Sequence, residues 1–274
     1  MKCGKHELDF GRKTFVMGIL NVTPDSFSDG GRFSNTKQAV AQGLRMADEG
    51  ADIIDVGGES TRPGSEPVSV EEEIRRITPV IEQLADKTSI PVSVDTYRPE
   101  VAFKAFEAGA CILNDINALR TRGMAEFAAN HNLPVVLMHM QGKPKTMQES
   151  PEYGNVVDEI NAFFEERIAF ALGKGVKRDN IILDPGVGFG KRLEHNLEIL
   201  RNLAKFRKHN LPLMVGPSRK SFIGQILTLS VDERLEGTLA AVTASILNGA
   251  DIVRVHDVKE AVRVAAVADA IAGR

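Results

Sequence analysis

Tryptophan is absent from this chain of 274 residues, and tyrosine and cysteine occur only twice each. Few aromatic rings and a net charge of −3 argue against a nucleic-acid partner, which needs stacking surfaces and positive charge. Cys3 and Cys111 are far apart in sequence and indicate no disulfide framework, so we expect a cytoplasmic protein. No run is long and apolar enough to span a membrane, and no apolar signal core follows Met1. The chain is nevertheless 43% hydrophobic, which is enough for a full core.

Short apolar runs recur along the chain, and each is followed by a pattern typical of a helix. The runs are rich in Val, Ile and Leu without the alternation of a half-exposed strand, which indicates strands covered on both faces. The predicted strands are 15–20, 52–57, 91–94, 111–113, 134–138, 181–183, 212–215 and 251–255. The predicted helices are 36–49, 70–84, 98–108, 121–130, 155–174, 194–206, 232–247 and 258–270. Pro79 falls inside the second helix, where we expect a kink.

The dipeptide Gly-Ala recurs at three predicted junctions between a helix and the next strand, at 50–51, 109–110 and 249–250. Glycine supplies the left-handed turn that ends a helix, so the repeat indicates repeated helix–strand units. Eight strands, each followed by a helix, predict a (β/α)8 TIM barrel of the α/β class, as a single domain over residues 1–274. A doubly wound open sheet is the alternative, because the sequence does not reveal strand order.

Polar residues stand at the carboxyl end of every predicted strand, where barrels carry their chemistry. Any one of them alone is better explained as a loop-entry cap, but all eight together favour a binding site. One set mixes carboxylate, amide and ammonium groups and suits a planar heterocycle with N–H donors and a carbonyl: Asp95, Asn114, Asp184 and Lys220. A second set consists mostly of donors and suits an anion such as phosphate: Asn21, Thr61, Arg62, Ser218, Arg219, Arg254 and His256.

The segment DPGVGFGK at 184–191 is rich in glycine but has neither the P-loop spacing nor the dinucleotide spacing. Two interpretations of this segment remain open. Its backbone could approach a flat ligand closely, with Phe189 beside it, or it could be a mobile surface loop. His139 ends a strand and is better explained by a backbone contact than by substrate binding. His256 follows Arg254 by two residues, so the two share one face of a strand and His256 is the better candidate for the site.

Five motifs at these strand ends resemble the dihydropteroate synthase family, and the resemblance covers nearly the whole chain. They are GILNVTPDSFSDGG at 18–31, DVGGESTRPG at 55–64, DPGVGFGK at 184–191, GPSRK at 216–220 and RVH at 254–256. The resemblance implies condensation of (7,8-dihydropterin-6-yl)methyl diphosphate with 4-aminobenzoate to 7,8-dihydropteroate and diphosphate. It also implies a homodimer and competition by sulfonamides at the aminobenzoate site.

The resemblance also implies roles for individual residues. Asp95, Asn114, Asp184 and Lys220 would hold the pterin. Arg254 and His256 would hold the diphosphate, and Asn21 would coordinate its Mg²⁺. Thr61 and Arg62 would help to close the site, and Ser218 would lie near aminobenzoate with Arg62 and Pro63.

We expect an SN1-like path, because an electron-rich pterin stabilises a cation and the protein then needs charge stabilisation rather than a nucleophile. Asp95, Asp184, Lys220, Arg254 and His256 are therefore the candidate catalytic residues.

Two other functions fit the pterin-binding residues. One is a pterin-dependent methyltransferase that uses methyl-tetrahydrofolate on the same barrel, and the other is a pterin-binding paralogue without activity. The long motifs at 18–31 and 55–64, together with GPSRK, argue against the methyltransferase, which needs no segment that holds diphosphate and aminobenzoate. An inactive paralogue should have lost a residue of the two long motifs, and none is lost here. We further expect residues 22–31 to form a mobile lid over the site.

Overall fold

Eight parallel strands form the body of the protein in the computed structural model, which describes residues 1–23, 32–60, 68–142 and 145–274. In chain order they are β3 (Phe15–Asn21), β4 (Ile53–Gly57), β5 (Val92–Asp95), β6 (Ile112–Asp115), β7 (Val135–Met138), β8 (Ile181–Asp184), β9 (Met214–Val215) and β10 (Ile252–Val255). Their order in the sheet is β8-β7-β6-β5-β4-β3-β10-β9. A parallel bridge between Leu183 and Leu213 joins β8 to the chain just before β9, so the two edges meet. The predicted (β/α)8 barrel is confirmed, and the open sheet is excluded.

Helices cover the outside of the barrel, as the sequence predicts. They are α1 (Arg32–Asp48), α2 (Val70–Lys87), α3 (Pro99–Glu107), α4 (Met124–Asn130), α5 (Val156–Gly173), α6 (Leu193–Arg201), α7 (Ser221–Leu227), α8 (Leu235–Leu247) and α9 (Val258–Ala272). Helix α2 begins after Ser69, whose hydroxyl accepts a hydrogen bond from Glu72 N, and it runs unbroken through Pro79. None of the helices in these ranges is long and apolar enough to cross a membrane. The kink at Pro79 and the single-domain division stay predictions.

Three local features differ from the sequence prediction. Helix α6 ends at Arg201, and a 3-10 helix, Leu203–His209, continues where one longer helix was expected. Asn202 separates them, and its side-chain amide donates to Glu198 O, which competes with the next helical turn. Helix α7 was not predicted. It has only seven residues and two buried apolar side chains, so the segment is too short to show a helical period. The third is an N-terminal hairpin of β1 (Lys2–Cys3) and β2 (His6–Glu7), whose strands are too short to show alternation.

Alternation along the barrel strands divides most of their apolar residues into two main clusters, apart from a small third one around Met138. One cluster lies between the sheet and the helices and includes Val16, Ile54 and Leu113. The other forms the floor inside the barrel and contains the alternate residues Met17, Ile53, Ile112, Val136, Ile182, Met214 and Ile252. The N-terminal hairpin adds Cys3 to this floor, where it joins Cys111. Both cysteines are buried free thiols.

Candidate active site

The layer above the apolar floor is polar. Four polar residues each follow a floor residue of the same strand by two positions: Asp55 follows Ile53, Asn114 follows Ile112, Asp184 follows Ile182 and Arg254 follows Ile252. Because side chains of a strand alternate, these residues face the barrel interior with the floor residues. Three of them, Asn114, Asp184 and Arg254, were predicted from their position at strand ends. Asp55 was not predicted because it lies inside β4, although it follows Ile53 by two residues and therefore shares its face of the strand.

Arg254 is the centre of this layer. Its Nε lies 2.6 Å from Asp55 Oδ2 and its Nη2 lies 2.7 Å from Asp95 Oδ2. The side-chain amide of Asn114 donates to the same Asp55 oxygen at 2.9 Å. Burial lowers the pKa of Arg254, but the two carboxylates more than offset this, so the net shift is upward and the guanidinium stays charged. One arginine thus joins strands β4, β5 and β10 at the mouth of the barrel.

The two acids beside Arg254 differ in their surroundings. Burial raises the pKa of Asp95 from its ordinary value to about 7, against the opposing effect of Arg254. Asp55 has no exposed surface, and among the described residues no donor reaches its Oδ1. An uncompensated buried carboxylate is costly, so Asp55 depends on Arg254 and Asn114 for its place in the core.

Asp184 ends β8 and begins the glycine-rich segment. It is buried, and its Oδ1 accepts a hydrogen bond of 2.7 Å from Gly186 N. Burial raises its pKa, while the Gly186 amide and the nearby charge of Lys220 oppose the rise. A buried carboxylate at this point can accept hydrogen bonds from the N–H groups of a ligand in the barrel mouth.

The glycine-rich segment, here called loop six and comprising residues 184–191, is held in one conformation by its neighbours. Gly188 N donates to Asn196 Oδ1 and Gly188 O accepts from Gln148 Nε2, both at 2.7 Å. The Tyr153 hydroxyl donates to Gly190 O at 2.8 Å. These bonds favour the interpretation as a ligand-approach segment over that of a mobile surface loop.

Loop six brings Phe189 beside Lys220. The Lys220 Nζ lies 4.0 Å from the centroid of the Phe189 ring, which is cation–π distance. A side chain at Gly188 would lie 2.8 Å from Lys220 Cδ, so glycine is required for this approach. An aromatic ring and an ammonium group side by side offer a stacking surface and a donor for a flat heterocycle.

The anion-binding set is only partly assembled as predicted. The Ser218 hydroxyl lies 3.0 Å from His256 Nδ1 and accepts from His256 N at 3.1 Å, so these two residues hold each other. Asn21 ends β3 and pairs in register with Gly57 at the mouth of the barrel. The guanidinium of Arg219 instead forms an ion pair with Asp257 at 2.6 Å, which ties it to the base of α9.

A second ionic cluster lies beside the site and was not found from the sequence. Glu59 accepts hydrogen bonds from Val68 N at 3.3 Å, from the Tyr97 hydroxyl at 2.8 Å and from Arg98 Nη2 at 2.7 Å. Arg98 also pairs with the buried Glu73 at 2.9 Å. Glu59 therefore links residues on both sides of 61–67. The predicted site residues Thr61, Arg62 and Pro63 lie outside the described residues, as does most of the predicted lid, 24–31.

A parallel barrel whose mouth carries interior acids, an amide and an ion-paired arginine is typical of an enzyme. The chain belongs to the family described as pterin binding enzyme, which it matches over residues 17–256. It is 53% identical to the dihydropteroate synthase of Escherichia coli K12 over 255 residues, covering 93% of this chain and 90% of that protein. It is 49% identical to the enzyme of Clostridium beijerinckii over 276 residues, covering 100% of both.

Solved structures give the same result. The chain resembles the Yersinia pestis dihydropteroate synthase crystallised with a sulfonamide drug complex, with a TM-score of 0.95, 45% identity and coverage of 100% of this chain and 99% of that one. It also resembles the Xanthomonas albilineans enzyme in complex with 7,8-dihydropteroate, with a TM-score of 0.87, 42% identity and coverage of 95% and 96%. The resemblance found in the sequence is thereby confirmed.

Proposed function

We propose that this chain condenses (7,8-dihydropterin-6-yl)methyl diphosphate with 4-aminobenzoate, the dihydropteroate synthase reaction. The observation that carries the proposal is the cluster in which Arg254 joins Asp55, Asp95 and Asn114, in a chain that matches these synthases along nearly its whole length. The rival functions, a methyltransferase and an inactive pterin-binding paralogue, gain no support from these relatives.

The acids and the amide would hold the pterin ring. Asp95, Asn114 and Asp184 present oxygen acceptors to its N–H groups, and Lys220 meets its carbonyl oxygen. Phe189 lies against Lys220 and offers a face for stacking. The high pKa of Asp95 and Asp184 reflects burial without enough compensation, and a ligand N–H would supply the missing hydrogen bonds.

The reaction exchanges one bond at the methylene carbon of the pterin. The carbon–oxygen bond breaks, and its electron pair leaves with diphosphate. The amine of aminobenzoate then donates its lone pair to the carbon, and its extra proton passes to solvent. A carboxylate of Asp95 or Asp184 would stabilise the cationic carbon, and Arg254 with the pair Ser218 and His256 would stabilise the departing diphosphate. No protein nucleophile is required.

Magnesium would bind at Asn21. Among the described residues no group of three or more His, Cys, Asp or Glu side chains could hold a metal ion, so these residues alone form no complete metal cage. An amide oxygen at the mouth, completed by diphosphate oxygens and water, matches the preference of Mg²⁺ for few protein ligands. The ion would neutralise charge on the leaving group. We expect Asn21→Ala to raise the Mg²⁺ concentration needed for half-maximal activity, and an unchanged requirement would argue against this site.

The decisive experiment is a direct assay. Folded protein with the pterin diphosphate, 4-aminobenzoate and Mg²⁺ should form dihydropteroate and diphosphate in equal amounts. A parallel reaction with labelled methyl-tetrahydrofolate and a thiol acceptor should transfer no methyl group. Failure of the first reaction with protein that binds pterin would favour the inactive paralogue, and success of the second alone would favour the methyltransferase. A sulfonamide should compete with aminobenzoate and not with the pterin.

A homodimer in the cytoplasm completes the proposal. Ile226 and Leu227 of α7 and Leu247 of α8 are exposed around an apolar groove between α6, α7 and α8, which suits association with a second copy. Light scattering should find a dimer that Ile226→Glu dissociates, whereas Val267→Glu on the exposed face of α9 should leave it intact. The buried free thiols Cys3 and Cys111 support a reducing compartment.

A further inference from the structure

Lys191 is a buried lysine at the end of loop six to which the synthase chemistry assigns no role. Only 2% of its surface is exposed. Its Nζ donates to Phe189 O at 2.9 Å and to His139 O at 3.2 Å, and it lies 3.0 Å from His139 Nδ1. Among the described residues no carboxylate forms an ion pair with it. An ammonium group is therefore buried on neutral acceptors.

Burial of such a group is costly. Burial, opposed by the nearby charge of Asp184 and reinforced by that of Lys220, lowers the pKa of Lys191 to about 7. The same burial lowers the pKa of His139 to about 2, so its ring is neutral and Nδ1 can accept a hydrogen bond from the ammonium. A methionine of similar length would fill this space without the cost of desolvation. The hydrogen bonds of the Nζ group therefore serve something other than packing.

The contacts of Lys191 lie where loop six meets the end of β7. Gly186 has a positive φ of 67°, and a side chain there would lie 1.9 Å from His139 O. Gly190 has a φ of 59°, and a side chain there would lie 2.3 Å from Gln141 O. Two backbone segments thus run in contact, with the carbonyl groups of His139 and Gln141 against the glycines of loop six. The Nζ of Lys191 joins a carbonyl of each.

The carbonyl that Lys191 holds on loop six belongs to Phe189. The Phe189 ring in turn lies 4.0 Å from Lys220 Nζ, and the aliphatic part of Lys220 packs on Gly188. The position of the Phe189 backbone therefore decides how the ring and the second lysine are spaced. A flat ligand at the mouth of the barrel would contact both the Phe189 ring and Lys220, so it depends on the distance between them.

We propose that Lys191 is a positioning residue, whose bonds to His139 and Phe189 O fix loop six so that Phe189 and Lys220 receive the pterin ring. The proposal rests on the proposed function, because it assumes that these two residues bind the pterin. Lys191 itself does not touch the substrate. Its effect reaches the pterin end of the site through the backbone and does not reach the aminobenzoate end.

The test compares Lys191→Met with Lys174→Met, a change at an exposed lysine that pairs with Glu126. We expect Lys191→Met to weaken binding of 6-hydroxymethylpterin, measured by fluorescence, by about tenfold or more. The KM for aminobenzoate should change by less than about twofold. Amide hydrogen exchange in residues 186–191 should accelerate. Lys174→Met should match the parent in all three measurements.

A second pair of variants covers the case in which Lys191→Met does not fold. His139→Asn keeps an acceptor near the position of Nδ1, and His139→Leu removes it, so only His139→Leu should lose pterin affinity and loop protection. Equal behaviour of the two would overturn the proposal. So would parental pterin affinity in folded Lys191→Met, or equal losses at the pterin and aminobenzoate sites. Hydrogen exchange needs no substrate, so a parent that binds no pterin would refute the proposed function while the loop measurement still decides the role of Lys191.

Discussion

Arg254 and Asp95 are joined across the mouth of the barrel by a contact of 2.7 Å, although 159 positions separate them in the chain. The same guanidinium binds Asp55 through Nε at 2.6 Å. Charges of both signs are thus held in place before a substrate arrives. Preorganised charge of this kind needs no rearrangement during the reaction, which is the main way in which a site without a nucleophile accelerates it.

Replacing Arg254 should affect both binding and stability. In Arg254→Ala, the affinity for the pterin diphosphate should fall at least about tenfold more than the affinity for 6-hydroxymethylpterin, because only the former carries the anion. The free energy of unfolding should fall by about 3–5 kcal/mol, because Asp55 loses its cation. Calorimetric titration and urea denaturation measure the two effects. Equal weakening for both ligands would contradict the diphosphate assignment.

Arg207→Ala provides the control for that variant. Arg207 pairs with the nearly buried Asp251 at 2.9 Å, just before the start of β10 and therefore at the opposite end of that strand from the mouth of the barrel. Its loss should reduce stability without a selective effect on diphosphate binding.

The pKa of Asp95 predicts how stability depends on pH. Burial raises this pKa from 3.8 to about 7, so between these values the folded chain holds a proton that the unfolded chain releases. The contribution of Asp95 to the free energy of unfolding is therefore largest below about pH 4 and is lost as the pH rises towards 7. In urea denaturation without ligand, the parent should lose stability relative to Asp95→Asn over this window, by about 1–3 kcal/mol.

Asp86→Asn, a change at an exposed residue of α2, is the control for this measurement and should follow the parent at every pH. A constant difference between the parent and Asp95→Asn from pH 4 to 8 would refute the raised pKa. Activity should show the opposite trend to stability, because the ionised carboxylate is the form that stabilises a cation.

Asp184→Asn should weaken pterin binding by about 10- to 100-fold. The new amide can keep its oxygen on Gly186 N, where Asp184 Oδ1 now accepts at 2.7 Å. It would then turn an NH2 group towards the donors of the pterin. Asp115→Asn is a matched control, because Asp115 is equally buried and accepts from Asn117 N and Leu119 N at 2.7 Å, but it lies one position past the interior residue Asn114. Parental pterin affinity in Asp184→Asn would remove this residue from the site.

Gly186→Ala should disrupt loop six. The added methyl would lie 1.9 Å from His139 O, and the φ of 67° adds strain. We expect a loss of stability above about 2 kcal/mol and of most pterin binding. Gly273→Ala has a similar φ of 75° but meets nothing within 4 Å, so it isolates the backbone strain alone. Thermal denaturation of the two variants should differ, and equal losses would show that the contact with His139 is unimportant.

The sequence predicted the barrel well because its strands are buried on both faces and end in polar groups. Asp95, Asn114, Asp184 and Arg254 were all found in this way, and the structure brings them to one mouth. Asp55 was missed because only the ends of strands were searched, not the interior face one step below. Asp55 follows the floor residue Ile53 by two positions, and this alternation would have indicated that it faces the barrel interior.

Other features depend on contacts that no sequence pattern announces. Arg219 looked like an anion ligand, but its guanidinium pairs with Asp257, a residue 38 positions away. Lys191 looked like the end of a glycine motif, and its burial follows only from how loop six lies against β7. Glu59 binds Arg98 from a different unit of the barrel. Each of these depends on tertiary packing, which short motifs do not encode.

Each barrel strand is divided into floor, mouth and helix-facing residues, and this division determines which sequence changes the enzyme tolerates. Deleting one residue within β10 would bring Val253 or Val255 to the position of Arg254, so the guanidinium of Arg254 would turn towards the helices. Substitutions test one side chain at a time, whereas a single deletion in a strand exchanges its inner and outer faces. Variant libraries for this barrel should therefore vary length only in the connecting segments. The number of residues in each strand should stay the same, so that its inner and outer faces are kept.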